Sequence, residues 1–164
     1  MDRAMYYTEL QSPVGALRLE SNGSGLCAIQ FLAGRRAAKP SPGAMRSDAA
    51  FGEAIRQLQA YFRGERKDFQ LPLALVGTAF QLRVWQRLRE IPYGETISYG
   101  QLAREIGQPQ ASRAVGLANG SNPIPIIIPC HRVIGSNGKL TGYGGGLPIK
   151  EKLLAFESRQ LALL

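Results

Sequence analysis

Residues 122–133 read Asn-Pro-Ile-Pro-Ile-Ile-Ile-Pro-Cys-His-Arg-Val, and no other stretch of the chain is so restricted in what it can fold into. Pro123, Pro125 and Pro129 each fix their own φ and push the residue before them toward extended geometry. Residues 126–128 are therefore expected to form a short, fully buried extended segment that delivers Cys130 on a rigid backbone. His131, the one histidine of the chain, follows directly. A thiol held beside an imidazole is a candidate nucleophile, and equally a small residue packed inertly in a core.

The surroundings limit the choice. The 164 residues suit one ordinary domain or two small lobes. Lys+Arg 20 against Asp+Glu 12 gives a formal charge of +8, which favours a polyanionic partner, nucleic acid before a membrane surface. No block of like charge makes a tail, so a single arginine can equally be a solvated side chain. Cys27 and Cys130 are too few for a disulfide framework, and one histidine with two distant cysteines lacks metal-site spacing. The first residues carry no apolar signal core and no run reaches membrane-spanning length, so a cytoplasmic protein with no membrane partner is expected.

The first half has the pattern of strands at 5–10, 15–21 and 25–32, joined by Ser-Pro-Val-Gly and Asn-Gly-Ser-Gly turns. Cys27, Ile29 and Phe31 share one face of the third strand, which makes Cys27 a packed residue. A basic, Pro/Gly-rich loop is expected over 33–46. Phe51, Ile55, Leu58 and Phe62 recur at helical spacing, and Gly64 ends that helix. The alternation Leu71, Leu73, Leu75 predicts a further extended piece. None of this carries recognisable chemistry, and it reads as a scaffold.

The second half opens on Thr78-Ala-Phe-Gln81, a capping box, with Phe80, Val84, Trp85, Leu88 and Ile91 as the buried face. Ser98-Tyr-Gly-Gln101 predicts a second capping box and a shorter helix. Gly107-Gln-Pro109 makes a turn, and a third helix is expected over 110–119. Helix, tight glycine turn, helix is a helix-turn-helix pattern. The third helix is built from small residues, and each internal glycine costs it roughly 1 kcal/mol. Close approach to a partner, or tight packing on a neighbouring helix, would explain the glycines. Arg113 stands in its first turn. Ser136-Asn-Gly-Lys139 predicts a hairpin turn. The glycine loop 141–148 is not a phosphate cradle, because Leu140 stands where a P-loop needs Ser or Thr.

These motifs together, Pro129-Cys-His-Arg-Val133, Asn122-Pro, Ser98-Tyr-Gly-Gln-Leu-Ala103 and Arg113-Ala-Val-Gly116, resemble the 6-O-alkylguanine-DNA alkyltransferases. These are the methylated-DNA–protein-cysteine methyltransferases, and the likeness is to their bacterial Ogt type. It runs from about residue 78 to 157 in motif order and spacing. The resemblance implies an α/β fold class: a ribonuclease-H-like N-terminal domain over 1–76 and a winged helix-turn-helix C-terminal domain over 77–164.

Repair would proceed by flipping 6-O-alkylguanine out of duplex DNA and moving its alkyl group irreversibly onto the protein, once per molecule, with 4-O-alkylthymine left open as a substrate. Cys130 would be the acceptor, His131 the base acting through a water, and Glu157 the carboxylate that orients the imidazole. Asn122 would brace the turn into the active segment. Tyr99 would rotate the 3′ phosphate and help protonate the leaving guanine, and Arg113 would fill the gap left in the duplex. Gly100, Gln108, Ser112, Ala114 and Ser136 would complete the DNA face. Asn119, Val133, Tyr143, Gly144 and Gly145 would line the base pocket. No cofactor or metal is implied, and a monomer is expected. Two rivals remain: a helix-turn-helix protein that binds alkylated bases without repairing them, and a cysteine hydrolase, which would want a histidine distant in sequence.

Overall fold

The computed structural model describes residues 4–33 and 39–162, with side chains through Arg159. The chain divides into two compact units, Met1–Leu75 and Val76–Leu164. Part of the basic loop read over 33–46, residues 34–38, lies outside the described residues.

The first unit is a four-stranded sheet with one helix. Strands β1 (Tyr6–Leu10), β2 (Leu17–Ser21), β3 (Leu26–Phe31) and β4 (Met45–Arg46) lie in the order β3-β2-β1-β4. β2 is antiparallel to both neighbours, pairing Leu17 with Leu10 and with Phe31, while β4 joins β1 in parallel. All of β2 is buried. Leu17 and Leu19 on one face enter the core with Ile29, Phe51, Leu58 and Tyr61. Polar residues on the other face find partners: Arg18 reaches Glu9 at 3.3 Å through Nη2, and Glu20 accepts the Ser41 amide and hydroxyl at 2.7 Å each.

Helix α1 (Gly52–Phe62) packs through Ala54, Gln57, Leu58 and Tyr61 and gives way to Gly64 at φ 76°. The piece expected at 71–75 is a single parallel bridge, Leu26 to Leu73, with hydrogen bonds only at its ends. Cys27 is half-buried rather than packed, with its Sγ 3.6 Å from the Gly25 carbonyl.

The second unit is helical. α2 (Ala79–Leu88) begins with the full capping box: Thr78 accepts from the Gln81 amide, and the Gln81 side chain accepts from the Thr78 amide. Strand β5 (Ile97–Ser98) leads into α3 (Tyr99–Glu105), where Ser98 caps the Gln101 amide. The reciprocal bond is not made, because the Gln101 side chain turns to Glu105. Gly107, at φ 79°, makes the turn, and α4 (Ser112–Gly120) starts two residues later than its pattern suggests.

Trp85 anchors α4 on α2 by donating Nε1–H to the Ala118 carbonyl at 2.9 Å. A Cβ on Gly77 would lie 2.7 Å from that indole, so glycine is needed there. Strand β6 (Val133–Ile134) pairs in parallel with β5. The turn at 136–139 forms through Gly135–Lys139 and Gly138–Gly135 bonds, but β6 does not pair with the chain that follows it. α5 (Leu147–Ala162) closes the unit with Ile149 and Leu153 in the core.

Candidate active site

Residues 126–128 are buried as expected but not extended. A proline restricts only itself and the residue before it, which leaves Ile126 and Ile127 free to turn. The chain folds back so that the Ile128 amide donates to the Ile124 carbonyl at 2.9 Å, with Ile126 left-handed at φ 74°. A β-branched residue there costs about 1–3 kcal/mol, which burial of Ile124, Ile126, Ile127 and Ile128 must offset. Among the described residues, no strand pairs with residues 124–128. Asn122 supplies the missing partners instead, accepting from the Ile124 amide at 2.9 Å and donating to the Ile128 carbonyl at 2.8 Å. Pro129 then starts a 3-10 turn, Cys130–Arg132, in place of the extended Cys-His pair that the prolines suggested.

That turn aims two buried side chains at Glu157 of α5. His131 Nε2 lies 2.8 Å from Glu157 Oε2. Arg132 clasps the same carboxylate with Nε and Nη2, each at 2.9 Å, and donates Nη1 to the Ile91 carbonyl at 2.7 Å. Its guanidinium also lies 5.6 Å from the centre of the Tyr93 ring. Burial alone would raise the Glu157 pKa, but the hydrogen bonds and charges of His131 and Arg132 hold it far below the ordinary carboxylate range. The carboxylate is therefore ionised and can only accept.

Burial lowers the pKa of His131 against the opposing pull of Glu157, so the imidazole is neutral at pH 7. Its one proton must sit on Nε2, facing the carboxylate, which leaves the Nδ1 lone pair with no hydrogen-bond partner. Cys130 is 5 % exposed, and burial pushes its thiol up to about 11. Hydrogen bonds from Asn122 and Tyr143 and the charge of Lys150 act the other way. The site thus holds a protonated thiol and a neutral, oriented base.

The other anticipated residues separate into two groups. Asn119 is buried and donates to the Cys130 carbonyl at 3.3 Å, Val133 is buried, and Tyr143 reaches the thiol. Gly145 is half-buried and Gly144 exposed in the same loop. Arg113 and Ala114 are exposed on α4, Ser112 and Gly100 half-buried, and Gln108 and Ser136 exposed in turns. Tyr99 donates its hydroxyl to the Thr141 carbonyl at 3.2 Å. The glycines of α4 are not required by packing among the described residues. A Cβ on Gly116 would meet only the Tyr99 ring at 3.9 Å, and one on Gly120 would meet nothing.

Two residues escaped the sequence reading. Arg132 stood inside the quoted motif without a role. Lys150, fully buried on α5, donates to the Val133 carbonyl at 2.6 Å and the Thr141 carbonyl at 2.9 Å. The only signal in the sequence was helical spacing, since Lys150, Leu153 and Glu157 recur on one face. Among the described residues, no three His, Cys, Asp or Glu side chains gather as a metal site, and no helix is long and apolar enough to cross a membrane.

A helix-turn-helix in the same unit as a buried thiol and a carboxylate-held imidazole is the architecture that a DNA-binding protein with a cysteine nucleophile would need. The family described as 6-O-methylguanine DNA methyltransferase matches the chain twice, its DNA binding domain over residues 79–159 and its ribonuclease-like domain over residues 5–75. The chain belongs to that family.

It is 54% identical over 153 residues to the methylated-DNA–protein-cysteine methyltransferase of Methanosarcina acetivorans, covering 93% of this chain and 98% of that one. It is 52% identical over 158 residues to the Mycobacterium tuberculosis protein of the same name, covering 93% and 92%. The crystal structure of the M. tuberculosis O6-methylguanine methyltransferase superposes with a TM-score of 0.88 at 50% identity, over 97% of this chain and 98% of that one. A further M. tuberculosis structure, in complex with DNA, gives 0.88 at 50% identity over 94% of each chain.

Proposed function

We propose that this protein repairs duplex DNA by moving the alkyl group of 6-O-alkylguanine onto Cys130. The observation that carries the reading is the buried His131–Glu157 contact at 2.8 Å, which leaves Nδ1 as a free base in the same turn as the thiol. A water between Nδ1 and Sγ takes the thiol proton to the imidazole. The sulfur then attacks the alkyl carbon: the S–C bond forms, the C–O bond breaks, and its electron pair stays with guanine, which takes up a proton from the site. The product is a thioether, a poor leaving group at neutral pH, so each molecule acts once.

A base stacked in a duplex cannot reach a buried thiol, so the nucleotide must be extruded at a cost of a few kcal/mol. The exposed edge of α4, with Arg113, Ala114 and a glycine that packing does not require, suits close contact with DNA. Arg113 fills the vacated stack, and Gly100, Gln108, Ser112 and Ser136 contribute to the same surface. Tyr99 leaves the Thr141 carbonyl to turn the 3′ phosphate and to return a proton to guanine. Asn119, Val133, Tyr143, Gly144 and Gly145 line the pocket, and Asn122 braces the turn. The chemistry belongs to residues 77–164, with 1–76 as scaffold, in a monomer working in the cytoplasm.

The test is intact-mass measurement after mixing the full chain with duplex containing 6-O-methylguanine. One methyl group should appear, located on Cys130. Cys130→Ser should gain none while still binding the duplex, because the thiolate does the chemistry and the helices hold the DNA. Loss of more than one equivalent of methylguanine per protein would instead identify a turning-over hydrolase.

A further inference from the structure

The mechanism above leaves one buried charge unused. The Lys150 ammonium is fully buried on α5, and among the described residues it forms no ion pair with a carboxylate. Its acceptors are the main-chain carbonyls of Val133 and Thr141, at 2.6 and 2.9 Å, and the Tyr99 ring lies 5.8 Å away. An ammonium has three donors, and carbonyls neutralise none of its charge. Burying such a cation without an anion is costly, and an apolar side chain of similar length would fill the space without that cost.

The positions of its two acceptors bear on the reaction. Val133 follows Cys130 by three residues at the end of the 3-10 turn, and Thr141 opens the loop that carries Tyr143 to the thiol. The Thr141 carbonyl also receives the Tyr99 hydroxyl. Lys150 thus ties the end of the Cys130 turn to the start of the glycine loop. Among the described residues, the charge that acts in its favour is that of Cys130 itself, once deprotonated.

We propose that Lys150 is a positioning residue for the transfer, whose buried ammonium joins Val133 to Thr141 and serves as the counter-charge of the Cys130 thiolate. In the resting protein it is a cation awaiting its anion. It stabilises charge on sulfur only when the proton leaves, so its contribution falls on the step that makes the nucleophile. The inference rests on Cys130 being the acceptor.

The groups acting on Cys130 are Lys150 from α5, Tyr143 from the glycine loop and the Asn122 amide, while His131 feels Glu157, Arg132 and Lys150. The experiment reads the thiolate at neutral pH, below the range in which the lysine loses its proton, from the rate at which a neutral haloacetamide alkylates Cys130, with the Cys130→Ser protein as background. It is run on the full chain, on Lys150→Met and on Lys150→Arg, with methyl transfer from free 6-O-methylguanine measured in parallel.

Lys150→Met should slow that alkylation tenfold or more, the loss of thiolate at neutral pH that about one unit of pKa corresponds to. Transfer should slow with it, and Lys150→Arg should recover most of both. A folded Lys150→Met protein with an unchanged alkylation rate overturns the proposal and leaves the lysine a plain clamp. If Lys150→Met does not fold, Lys150→Arg carries the test, and a full loss of rate despite its retained charge overturns it equally. A slowed alkylation in a protein whose wild type never takes a methyl group from DNA would instead refute the functional reading and leave the thiolate pairing intact.

Discussion

Replacing Glu157 by Gln separates the two tasks its carboxylate performs. The side chain accepts from His131 Nε2 on one oxygen and from Arg132 on both. A carboxamide has one accepting oxygen and one NH2. If the oxygen stays with His131, the NH2 opposes Arg132. If it faces Arg132 Nε, the NH2 points at His131 and forces the proton from Nε2 to Nδ1, which removes the base.

Either way Arg132, 5 % exposed, loses its anion. Breaking a buried ion pair by removing one partner costs about 3–5 kcal/mol. In a unit of this size each kcal/mol lowers Tm by roughly 4–8 °C, so a fall of about 12 °C or more is expected. Methyl transfer should slow on the order of 10²–10⁴-fold, the range of a lost general base. Adding Arg132→Met removes the stranded cation, and the double variant should regain most of the stability while transfer stays slow. His131→Gln in the Glu157→Gln background should add little further loss, since base and orienter act as one unit. Thermal unfolding and quenched single-turnover transfer read the two effects separately. Recovery of both rate and Tm in the double variant would refute the orienting role.

Arg113→Ala should reduce repair of duplex DNA far more than reaction with the free base, and a mismatch opposite the lesion should partly rescue it; equal losses on both substrates would leave Arg113 a phosphate or structural contact. Stability should fall at both ends of the pH range. His131 and Glu157 are held below their ordinary values of 6.5 and 4.5, so the unfolded chain binds more protons and stability is lost as pH falls, from below 6.5 for the histidine and below 4.5 for the glutamate. Cys130 is raised from 9.0 to about 11, so its contribution is present below 9 and lost as pH rises toward 11. Lys150, lowered from 10.5 by burial, acts with the opposite sign there, so only the difference between wild type and Cys130→Ser isolates the thiol. Identical alkaline profiles for those two proteins would contradict the buried thiol.

What local sequence determines is visible in α2 and in the first three strands. Thr78 and Gln81 satisfy each other's backbone whatever lies beyond them, and the alternation in β2 declares which residues face the core. The Cys-His-Arg segment was legible as a site for the same reason, because its chemistry is contiguous. Its conformation was not. Prolines dictate the residues before them and leave Ile126 and Ile127 free, so the turn depended on Asn122 finding both of its backbone partners.

Glycines in α4 signalled close approach without saying to what, and only the packing shows that no neighbour in the chain requires them. Arg132 and Lys150 look in sequence like any solvated cations. A charge is expensive in a core unless something distant meets it, and that meeting, Arg132 with Glu157 across 25 residues and Lys150 with the Val133 carbonyl across 17, exists only once the chain has folded.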